Sequence, residues 1–216
     1  MPATPKLPPV ESPLPTSSLI ASTPGHPAPS APLPPWAALL EHFYARAGLP
    51  LPRLERLQDR DVPSPYRALL VHSSDMTPTL QEFHGQAVGL TVLSRELQES
   101  AYLREVVLHV GAGERPVEYG VIRIFLDRFP ATARRRVLEE RRPLGSILES
   151  ESVGHLSWPQ AFFRAESDAH IGAVLRLSQP CQLYGRRNVL LDGSRRLLAE
   201  VIEVLPPVAN HFPHVH

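Results

Sequence analysis

From residue 87 onward the chain breaks into apolar, β-branched runs at 87–95, 103–110 and 117–126, and it returns to them at 183–191 and 196–205. The breaks within the first three are too short for the crossover helix that a parallel pair needs. Between the last two, Asp192-Gly193 is a tight-hairpin signal. The strands are therefore expected to pair mainly antiparallel. Around them lie helical patterns. Trp36, Leu39, Leu40, Phe43 and Tyr44 recur at helical spacing until Gly48, and further helices are expected at 65–72, from Thr77 or Pro78 to Phe83, at 131–140 and at 167–177, with a short Pro-Leu-Gly element at 143–145. Strands that follow one another instead of alternating with helices predict an α+β domain, its sheet covered by helices on one side.

A chain of 216 residues suffices for one sizeable domain but not for two with linkers. Twelve of the 25 prolines fall in residues 1–35, where Lys6 and Glu11 are the charged side chains. So little of that segment can be buried that a disordered tail is expected over 1–35, a plain solvated extension before an SH3-type ligand. The domain is then 36–206, followed by a flexible His-containing tail at 207–216. In that tail His211, His214 and His216 could hold a metal, but a mobile terminus is the simpler reading.

Lys and Arg number 22, as do Asp and Glu, so there is no global field to hold a polyanion, and no nucleic-acid partner is expected. Cys181 stands alone, which excludes an intramolecular disulfide and fits a reducing, cytoplasmic setting. Neither a secretory leader nor a membrane-spanning run is evident, and a monomer is expected.

One residue breaks the pattern. Period two in 103–110 places Arg104 with Val106, Leu108 and Val110, on a face that should meet the core. A guanidinium there needs an anion, either an internal salt bridge or a bound carboxylate, unless it snorkels to solvent from the strand's start. In the next strand Gly120 interrupts the face of Ile122, Ile124 and Leu126, which marks either close approach of a ligand or a bulge.

These positions form an order that resembles the chorismate pyruvate-lyase family, including its divergent chorismate lyase-like group. The matching pieces are Asp75-Met76-Thr77 before a helix, Tyr102-Leu103-Arg104-Glu105-Val106, Gly120, Pro143-Leu144-Gly145, and Gly185-Arg186-Arg187 leading through a hairpin to a Glu-rich strand that ends at Pro206. The resemblance implies a chorismate lyase-like fold and a carbon–oxygen lyase that converts chorismate to 4-hydroxybenzoate and pyruvate without metal or cofactor. It implies that Arg104 binds substrate carboxylate, that Met76 and Leu144 lend backbone groups, and that Gly120 leaves room beside the ligand. A final-strand glutamate would meet the ring hydroxyl. Counting from Gly193 this is Glu200, and counting back from Pro206 it is Glu203; both interrupt apolar faces. Val121 stands where well-known members carry arginine.

The effector-binding domain of some bacterial transcription regulators resembles the same fold, which leaves non-catalytic small-molecule sensing as the alternative. Such regulators normally begin with a helix-turn-helix, where this chain has its proline-rich segment. His155, Trp158, Phe162 and Phe163 offer material for a flap over a pocket, with ordinary packing as the simpler reading.

Overall fold

A computed structural model describes residues 34–208. The five apolar runs become strands, and two further strands join them. In chain order they are β1 (Leu54–Leu57), β2 (Val88–Leu97), β3 (Tyr102–Val110), β4 (Arg115–Ile124), β5 (Leu156–Glu166), β6 (Gln182–Leu191) and β7 (Leu197–Leu205). They form one sheet ordered β1-β5-β6-β7-β4-β3-β2, in which every neighbouring pair is antiparallel. The expected α+β, antiparallel architecture is what the chain adopts.

The helices are α1 (Ala38–Arg46), α2 (Tyr66–Leu70), α3 (Met76–His84), α4 (Ala131–Leu138), α5 (Leu144–Ser150) and α6 (Ala169–Val174). They cover both faces of the sheet, where cover on one side was expected. On one face α1 and α6 bring Leu39, Leu40, Phe43, Tyr44 and Ile171 onto Leu103, Tyr119, Val121, Phe163 and Ile202. On the other, α2 and α3 pack around Leu69, Leu70, Leu80 and Leu108, while α4 and α5 pack around Ala133, Val137, Ile147, Ile122 and Ile124. The reason lies in β3, β4 and β7, which are apolar on both faces. Each fully buried Leu, Ile or Phe stabilises the fold by about 1.5–3 kcal/mol, and one-sided cover would forfeit half of that.

The turn joining β6 to β7 is built differently from the expected Gly-centred hairpin. Arg195, not Gly193, takes the left-handed conformation, at φ 62°. The Asp192 carboxylate secures the turn, accepting from the backbone N–H of Ser194 at 2.8 Å and of Arg196 at 2.9 Å.

The aromatic residues around 155–163 belong to β5 and the loop before it instead of a flap. Phe163 is buried and stacks on Trp36, their ring centroids 5.1 Å apart, while Trp158 is exposed. Among the described residues no helix is long and apolar enough to cross a membrane. The proline-rich segment up to residue 33 and the residues from 209 on, with His211, His214 and His216, lie outside the described residues.

Candidate functional site

Antiparallel register sets two rows of side chains side by side on the face covered by α2–α5. One row runs Arg104, Ile122, Val201, Asn188, and the next runs Val106, Gly120, Glu203, Arg186. Gly120 contributes no side chain at the centre, and a cavity opens there between the sheet and the starts of α3 and α5. The space open to the centre of a water molecule is about 60 Å³. A single water needs roughly 10–15 Å³ on that measure, so several waters or a small organic molecule fit. Met76, Arg104, Gly120, Leu144 and Glu203 all line it; Glu200 does not.

Arg104 is 1% exposed, which excludes snorkelling. Its Nε and Nη1 have no hydrogen-bond partner, which excludes an internal salt bridge through them. Glu140, the acidic residue whose charge reaches it, is already held by Arg95 and by the Tyr102 hydroxyl. Burial pushes the guanidinium pKa down to about 10, so the group still carries its charge at neutral pH. A buried cation without a countercharge is strongly unfavourable until an anion reaches it.

The two helices that roof the cavity begin without side-chain caps. Pro143, before Leu144, has no capping group, and Asp75, before Met76, is a capping residue type that does not cap its own helix. Its Oδ2 lies 2.8 Å from His155 Nε2 instead, while His155 Nδ1 lies 2.9 Å from the Val153 carbonyl. Both ring nitrogens thus face acceptors, which suits the imidazolium. The Asp75 hydrogen bond raises the His155 pKa above its ordinary value. The first-turn N–H groups of α3 are left for another acceptor. Gly145 lets the helices approach: a Cβ there would stand 3.0 Å from Thr77 Oγ1.

The register separates the two glutamates that counting left open. Glu200 pairs across strands with Arg123 and lies on the opposite face, within 3.3 Å of Arg123 and 2.9 Å of Arg187. Glu203 faces the cavity but is bound by Arg186, which is fully buried. The remaining donors of Arg186 go to the carbonyls of Leu70 and His72, both at 3.2 Å, and of Ser74 at 3.1 Å. Two polar cavity-lining residues did not stand out in the sequence: Asn188 and Glu118. Glu118 was within reach of the argument that found Arg104, since period two puts it on the face of Gly120 and Ile122. Val121, where the resemblance would place arginine, points into the opposite core.

No family model matches this chain, and no curated protein matches it. Solved structures do. The effector domain of PhnF from Mycobacterium smegmatis is 13% identical, with 63% of this chain and 90% of that chain covered at a TM-score of 0.48. PhnF from the same organism is 11% identical, covering 77% and 93% at a TM-score of 0.47. A GntR-family transcriptional regulator from Bacillus cereus is 13% identical, covering 60% and 98% at a TM-score of 0.42. The seven-stranded antiparallel sheet with its helices is the α+β fold expected from the sequence.

These neighbours correct three expectations. The assignment as a chorismate pyruvate-lyase, and as an enzyme of the carbon–oxygen lyase class, is overturned because the similar structures are effector domains and regulators. The cavity agrees: the glutamate meant to handle the ring hydroxyl is tied to Arg186, and chorismate, a dianion, would find Arg104 as the one cationic side chain among the described residues that line the cavity. The expectation of no nucleic-acid partner is contradicted as well: solved structures similar to this chain are described as transcriptional regulators. A net charge of zero speaks only for the whole chain and cannot exclude such a role for what the domain works with.

Proposed function

We propose that this chain is a non-catalytic, small-molecule-sensing domain whose cavity binds a small organic anion through Arg104. The observation that carries the reading is Arg104 itself: buried, charged, and with Nε and Nη1 unpartnered inside a cavity. A planar fork with free donors matches a carboxylate bidentately, and the bound anion supplies the countercharge that the fold omits. In this reading the first-turn backbone at Met76 adds N–H donors, Leu144 closes the roof, and Gly120 gives the ligand room above the sheet. Glu203 positions Arg186 and the loop before α3 instead of moving a proton.

The test is ligand-dependent thermal stability with a panel of small carboxylates. A ligand present at about 100 times its Kd stabilises the folded state by about 2.7 kcal/mol, which a melting curve resolves. Stabilisation by at least one carboxylate that disappears in Arg104→Gln supports the reading. Equal stabilisation of both proteins contradicts it.

A further inference from the structure

Glu118 lies on the cavity floor beside Gly120, on the same face of β4 as Ile122. It is 3% exposed, and its Oε2 has no hydrogen-bond partner. Its Oε1 stands 3.1 Å from where a Cβ on Gly120 would be, so the carboxyl leans over the glycine. The charges that act on it are Glu203 on β7 and Arg186 on β6; Arg104 on β3 and Asp75 at the start of α3 line the same cavity, and His72, in the loop before α3, stands beside Arg186. Arg186 is the cation close enough to neutralise Glu118, but its donors are spent on Glu203 and three backbone carbonyls. A buried carboxyl beside a carboxylate, with no cation to itself, keeps its proton. Burial first, and the Glu203 charge second, raise its pKa well above the ordinary carboxyl range against the opposing pull of Arg186.

We infer that Glu118 is the specificity-determining group at the second end of the cavity, and that the ligand is a small, flat monoanion with an uncharged hydrogen-bond acceptor there. The inference rests on the proposed anion-binding role of Arg104. Arg104 stands opposite Ile122 in register, four residues along β4 from Glu118. That separates the two backbone positions by about 13 Å, with both side chains reaching inward. One wall is a sheet face and the other is the pair of helices α3 and α5, a slot that favours a flat body. At the Arg104 end an anion is required. At the Glu118 end a second anion would lie beside Glu203 and against a neutral carboxyl, whereas a carbonyl, amide or hydroxyl oxygen accepts the Glu118 proton in a hydrogen bond.

The experiment is calorimetric titration near neutral pH with benzoate, 4-carbamoylbenzoate and terephthalate, the last two alike in shape and different in charge. The expected result is 4-carbamoylbenzoate bound at least about tenfold more tightly than terephthalate, with that preference reduced to a few-fold or less in Glu118→Leu. Independently of any ligand, the infrared spectrum at neutral pH should contain the C=O stretch of an un-ionised carboxyl, and Glu118→Gln, which keeps size and folding, should lack it. Terephthalate bound as tightly as 4-carbamoylbenzoate, or identical infrared spectra for the two proteins, overturns the assignment of Glu118 while leaving Arg104 in place. Benzoate that fails to bind, or that binds Arg104→Gln equally, overturns the anion site and this inference with it.

Discussion

Arg186 on β6 and Glu203 on β7 stand opposite each other in register and form an ion pair wholly inside the protein. Through its other donors the same arginine holds the chain from Leu70 to Ser74, so the pair decides where α3 begins and hence where the cavity's roof sits. Removing one partner strands a buried charge. Glu203→Gln should lower the unfolding free energy by about 3–5 kcal/mol in urea titration. Glu200→Gln, whose arginine partners are partly exposed, should cost about 1 kcal/mol. Equal losses would contradict the difference in burial.

Arg104 should behave in the opposite sense. The free protein bears an uncompensated buried charge there, so Arg104→Met, close in length and apolar, should raise stability by roughly 1–3 kcal/mol while abolishing carboxylate binding. Chemical denaturation with and without benzoate checks both halves. A destabilised variant would mean that Arg104 has a structural partner.

His155 gives the molecule a pH dependence of definite sign. Its pKa is raised in the folded state, chiefly by the hydrogen bond to Asp75. The contribution is therefore fully present below the unfolded value of about 6.5, and it is lost as pH rises through the higher folded value. The stability advantage of the natural protein over His155→Gln should shrink as pH rises above about 6.5. An advantage that grows with pH would show that the imidazolium is not the bound form.

Two strand glycines should respond differently to a methyl group. At Gly185 a Cβ would stand 2.4 Å from the Glu203 carbonyl oxygen and 2.5 Å from the Phe163 ring, so Gly185→Ala should cost at least about 2 kcal/mol. At Gly120 the nearest atom is the tip of the Glu118 side chain at 3.1 Å, which can shift. Gly120→Ala should fold normally and bind small carboxylates at least about tenfold more weakly, because the methyl occupies ligand space. Melting curves and titrations on the two variants decide it.

Alternation made the five principal strands legible, because β2, β3, β4, β6 and β7 are long enough to show it. β5 stayed hidden by Pro159, a residue that argues against a central strand. Here the proline sits where the register of β5 against β6 shifts between Pro159 and Ala161, which spares the ladder. β1 is four residues long, Leu-Glu-Arg-Leu, and carries too little pattern to read. Period two put Arg104 on its proper face, yet it could not choose between Glu200 and Glu203, because β7 is buried on both sides and only the partners across the sheet tell the faces apart. Function was the least legible layer: short motifs in the right order pointed to a fold, which does not by itself fix activity, and the ion pair that occupies Glu203 is a three-dimensional fact.

The most direct measurement is a crystal structure with 4-bromobenzoate, in which the anomalous signal of bromine locates the ring independently of the model phases. Bromobenzoate is expected in the cavity between Gly120 and the starts of α3 and α5, its carboxylate within hydrogen-bonding distance of the Arg104 guanidinium. A carboxylate directed to solvent, or a ligand bound elsewhere with the cavity closed, would contradict it.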